Sequence, residues 1–82
     1  MSDMKHSLKI EVIHLANILL GRKKFEVRYN DRGYQLGDTI KFESIDGCTN
    51  YGGEYEIIYV HSGYGLEKDF VVLGIEKRPP HE

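Results

Sequence analysis

The apolar spacing of this chain changes at Gly21, and the change bounds what the chain can fold into. Ahead of it, in EVIHLANILL, Val12, Leu15, Ile18 and Leu19 recur at intervals of three and four, the spacing of a helix with one apolar face. Gly21 stands where a left-handed residue closes such a helix. Beyond it the period is two: Phe25, Val27 and Tyr29 alternate with Lys24, Glu26 and Arg28. Further short runs of strand character lie at Leu8-Lys9-Ile10, TIKFESI, EYEIIYVH and DFVVLGIE. Turn-forming stretches at Asn30 to Gly33, Gly37-Asp38, DGCTNYGG and SGYGLEK punctuate the chain.

The predicted order is strand, helix, then four strands: a mainly β, α+β domain with one principal helix. Five short strands bury their edges most simply by closing into a small β-barrel, with the helix plugging one opening. Phe25 and Val27 then fill the barrel core, and Glu26 and Arg28 face a cleft between helix and barrel. On that reading, trimming Phe25 costs about 3–5 kcal/mol of stability, whereas Arg28→Ala stays within about 1 kcal/mol. The 82 residues make a single domain, 1–82, with residues 1–5 and 77–82 expected to fray, the latter because Pro79 and Pro80 cannot extend a ladder.

No run approaches the roughly 18 apolar residues of a membrane span. The opening MSDMKHSLKI has no long apolar core and does not read as a secretory signal. A lone cysteine, Cys48, forms no internal disulfide and points to a reducing cytoplasm. His6, His14, His61 and His81 are scattered without zinc-ligand spacing, so neither a metal nor another cofactor is expected. The chain is taken as a monomer.

Charge is polarised. The segment from Arg22 to Arg32 holds five basic and two acidic residues, net +3, while the rest holds six basic and eleven acidic, net −5. A few nucleotides or a small anionic or polar ligand suit this balance better than broad coating of a duplex. On the strand, Glu26 and Arg28 share a face, and Lys23 at the helix–strand junction swings toward them. An Arg fork suits a phosphate or a carbonyl edge, and a carboxylate accepts from the amino groups of a base. A Lys beside a Glu also suits proton transfer. The same spacing equally describes a salt-bridge ladder on an exposed sheet face. Asn30, Asp31 and Arg32 read either as a self-capped turn or as part of the cleft. Tyr51 and Tyr64, in the loops YGG and GYG, read either as rings over the barrel mouths or as stacking surfaces for bases.

Taken together, several elements are similar to the ASCH domains of the PUA-like superfamily, most closely a small bacterial and phage branch known as a domain of unknown function. They are His6 with Leu8-Lys9-Ile10, Gly21-x-Lys23, Phe25-Glu26-Val27-Arg28 and Asn30-Asp31-Arg32. Gly37-Asp38, Glu43, Gly65-Leu66 and Val71-Val72-Leu73-Gly74-Ile75 continue the match, which runs from about Met4 to Ile75. The resemblance implies a PUA-like β-barrel and a cleft lined by Gly21-x-Lys23-x-x-Glu26-x-Arg28 that takes RNA or nucleotides. A related ASCH branch hydrolyses the acetyl amide of N4-acetylcytidine with a Lys, a Thr and a Glu. Lys23 matches its lysine, Glu26 replaces its threonine, and the segment carrying its distal glutamate is missing. Val12 and His14 replace a common Pro and aromatic, and Glu54 replaces a usual basic residue.

The expected function is therefore an RNA- or nucleotide-binding module for a short single-stranded segment or a modified nucleotide in the cytoplasm. Lys23, Arg28 and Arg32 supply positive contacts, Glu26 a base-edge acceptor, and Tyr51 or Tyr64 a stacking surface, with Asn30 beside them. The alternative is a small amidohydrolase acting on acylated nucleosides, with Lys23 and Glu26 as its catalytic pair. A third reading is a phage-encoded interaction protein that meets a host factor through its acidic surface.

Overall fold

The computed structural model describes residues 3–47 and 53–79; Cys48 and Tyr51 lie outside them. Five strands and one helix follow the predicted order: β1 (Lys5–Ile10), α1 (Val12–Leu19), β2 (Phe25–Tyr29), β3 (Thr39–Ser44), β4 (Glu54–Ser62) and β5 (Phe70–Lys77). They form one mixed sheet in the order β1-β3-β4-β5-β2, with β1 parallel to β3 and every other pair antiparallel.

The expected barrel does not close: β1 and β2 are the two edges of an open sheet. Hydrogen-bond parity shows what stands between them. The N–H groups of Thr39 and Ile45 donate to the carbonyls of Met4 and Ile10, so the even-numbered carbonyls of β1 serve β3. The odd-numbered carbonyls of Ser7 and Lys9 face the open edge. Arg32 Nη1 donates to Ser7 O at 3.0 Å and Arg28 Nη2 to Lys9 O at 2.7 Å. Guanidinium groups on long side chains thus take the place of a strand ladder and hold the edges farther apart than its spacing of about 4.8 Å.

One face of the sheet and α1 enclose the core. Leu8, Ile10, Leu15, Ile18, Ile40, Phe42, Ile57, Val71, Leu73 and Ile75 pack there with Tyr34 and Tyr55. The apolar stripe of α1 is narrower than its spacing suggested, with Leu15 and Ile18 buried but Val12 and Leu19 exposed. The helix closes as Gly21 foretold. At φ +77° this glycine donates to Ile18 O and the Arg22 N–H reaches back to Asn17 O, each at 3.0 Å, a Schellman pair that turns the chain into β2.

β2 overturns the expected facing. Phe25, Val27 and Tyr29 are 47, 45 and 53% exposed, whereas Glu26 is only 5% exposed. The cause is register. Glu26 pairs with Leu73 and Arg28 with Val71, both inward-facing, so β2 turns its charged side inward and its apolar side out. The inward carboxylate persists because its cations travel with it, as buried charges must.

A second buried polar contact joins residues far apart in sequence. His6 Nε2 lies 2.8 Å from Asp38 Oδ2, which also accepts from the Gln35 N–H at 3.0 Å, and the Tyr34 ring stands edge-on to His6 at 4.9 Å. Arg78, in the tail expected to fray, is tied down instead: its N–H donates to Glu54 O, its Nε to Thr39 Oγ1 and its Nη2 to Gly37 O.

Burial raises the phenol pKa of Tyr34, opposed by the nearby Arg28 and Arg32, and burial alone raises that of Tyr55. The unfolded chain releases these protons near the ordinary tyrosine value of about 10, whereas the native state holds them to higher pH. Their contribution is therefore intact below about pH 10 and declines above it. Urea titrations across the alkaline range should show stability falling from about pH 10, with a shallower fall in Tyr34→Phe or Tyr55→Phe.

Candidate functional site

The closure of α1 at Gly21 delivers Lys23 to the start of β2, three residues before Glu26. Lys23 Nζ donates to Glu26 Oε1 at 3.2 Å, and Arg28 Nε donates to Oε2 at 2.9 Å with Nη2 also 2.8 Å from it. Three donors thus occupy a carboxylate with about four acceptor positions. Arg28 Nη2 simultaneously reaches Lys9 O on β1. Glu26 is a floor; Lys23 and Arg28 are its partly open rim.

Above this floor lies an open cleft of about 790 Å³ between β1, the start of α1 and β2. Its charged lining is Lys9, Lys23 and Arg28 against Glu11 and Glu26, a net of one positive charge. The apolar wall comes from Ile10 and Ile45 together with Phe25, Val27 and Tyr29, and His14 of α1 stands at the margin. Such a site offers cationic donors to an anion or a carbonyl and an exposed ring surface to a planar group.

Of the residues singled out from sequence, Lys23, Glu26 and Arg28 converge on this cleft. Arg32 sits apart on Ser7 O, as a clasp between β2 and β1. Asn30 Oδ1 accepts from the Tyr34 N–H at 3.1 Å, closing the turn, and the side of Asn30 opens to a different hollow formed with residues of β4, β5 and their loop. Tyr64 is 96% exposed in the β4–β5 loop, where its ring stacks with His61 at 6.3 Å, and it does not line the cleft. Phe25, Val27, Tyr29 and His14 were not foreseen as lining residues. Alternation marks two faces of β2 but carries no sign of which is buried. Among the described residues, no three His, Cys, Asp or Glu side chains gather as a metal site, and no helix is long and apolar enough to cross a membrane.

Fold and site define a small, mostly β, α+β domain with an open five-stranded mixed sheet and a polar cleft beside its β2 edge. Residues 5–75, from the first strand nearly to the end of the last, match the family described as domain of unknown function DUF3850, and the chain belongs to that family. No curated protein matches the chain.

Proposed function

We propose that this domain is a PUA-like, ASCH-type module that binds a short single-stranded RNA segment or a nucleotide in the cleft above Glu26. The observation that carries the reading is the convergence of Lys23, Glu26 and Arg28 on one open cleft that also presents aromatic rings. Glu26, with three of its about four acceptor positions taken by its two cations, serves first to position them. Lys23 and Arg28 then meet the phosphate or carbonyl oxygens of the ligand from a fixed geometry, which limits the ordering cost of binding.

With two or three phosphates neutralised, the slope of log affinity against log salt should be about −2. Titrating a labelled single-stranded RNA at several salt concentrations tests this. Binding with a shallow slope that falls further in Lys23→Ala supports the reading; no binding at millimolar protein, or binding unchanged in Lys23→Ala, removes it.

A second reading, hydrolysis of acylated nucleosides, is favoured by Lys23 Nζ standing 3.2 Å from Glu26 Oε1, a pair suited to relay a proton. Deacylation that disappears in Lys23→Ala would establish it, and turnover that persists there would remove it.

A further inference from the structure

We infer that Phe25 and Tyr29 form a stacking platform for unpaired bases, so that the ligand is a single strand of about three nucleotides and not an isolated nucleotide; this rests on the cleft reading above. Both rings stand on the outward face of β2, about half exposed, with Val27 between them, and all three line the cleft beside Lys23 and Arg28. Exposed aromatics on a strand are the surface on which single-stranded nucleic acid stacks, because every base offers a planar face.

Local contacts prepare both rings. Lys23 Nζ lies 5.5 Å from the centroid of Phe25, bringing positive charge beside the ring, and Gly74, directly opposite on β5, adds no side chain on that side. The Tyr29 ring stands edge-on to Phe70 at 5.6 Å. Four residues of strand separate the two rings by about 13 Å. Bases stacked on one another rise only about 3.4 Å. The platform therefore takes splayed bases, which a duplex does not offer, and a lone nucleotide covers one ring only. A second copy of the chain is the poorer occupant, since it would set the same net positive cleft against this one.

The test is fluorescence anisotropy with a labelled oligouridine hexamer, with uridine monophosphate as competitor, on native protein and on Phe25→Ala, Tyr29→Ala and Tyr29→Phe. Circular dichroism checks that each variant is folded. Each Ala variant should weaken hexamer binding about 5- to 100-fold with the salt slope unchanged, because no phosphate contact is lost. Tyr29→Phe should bind like the native chain, and the monophosphate should compete far more weakly than the unlabelled hexamer. Hexamer binding unchanged in both Ala variants overturns the platform and leaves the cleft reading standing. No hexamer binding by the native protein overturns both. A native dimer in sedimentation that Phe25→Ala dissociates also overturns the platform, making this face a self-association surface.

Discussion

Glu26→Ala should lower the unfolding free energy by about 2–4 kcal/mol in urea melts, although the residue lies on an edge strand beside an open cleft. Removing one member of a fully buried pair costs about 3–5 kcal/mol, and an exposed pair contributes about 1 kcal/mol or less. This cluster lies between those limits. The Glu26 side chain is 7% exposed, and those of Lys23 and Arg28 are 15 and 23% exposed. Without the carboxylate, two cations face each other with only part of their hydration restored. Glu26→Gln keeps one acceptor oxygen without the charge, its amide nitrogen being a donor, and should fall between Glu26→Ala and the native chain. The same geometry corrects the expectation for Arg28→Ala, which leaves Glu26 with Lys23 alone and should cost more than the about 1 kcal/mol of a surface pair. A loss below about 1 kcal/mol in Glu26→Ala would show that the cluster is solvated.

Leu73→Ala should be at least as costly, about 2–5 kcal/mol. The side chain is fully buried on β5, between β4 and β2, where neighbours from two strands limit collapse into the cavity. For a chain of this size, total stability is on the order of 4–12 kcal/mol, so the loss shows directly in the urea midpoint. Phe25→Ala, by contrast, should cost about 1 kcal/mol or less, because the ring is already half in water. The sequence spacing had ranked these positions otherwise, with Phe25 in the core. Equal losses at Leu73 and Phe25 would contradict the facing of β2.

That reversal marks where the sequence stops being legible. The number and order of elements could be read because each strand carries its own alternation and Gly21 announces the end of α1. Alternation gives two faces, however, and the inward one is chosen by the partner strand. For β2 the register with Val71 and Leu73 made the choice, and the two cations flanking Glu26 made it tolerable. Closure was illegible for a related reason. Whether β1 meets β2 depends on Arg28 and Arg32 reaching carbonyls 19 and 25 residues away, a pairing no local pattern encodes. His6 and Asp38 meet only because parallel pairing sets His6 beside Ile40. The convergence of Lys23, Glu26 and Arg28 was readable because all three lie within one turn-and-strand segment.

The most direct test of the cleft as the binding site is to follow the backbone amide resonances of isotope-labelled protein during titration with a single-stranded RNA hexamer. Saturable shifts that share one binding curve should cluster at Lys9 to His14 and Lys23 to Tyr29, the two walls of the cleft. Shifts confined to the β4–β5 loop around Tyr64, or no shifts at millimolar RNA, would contradict it.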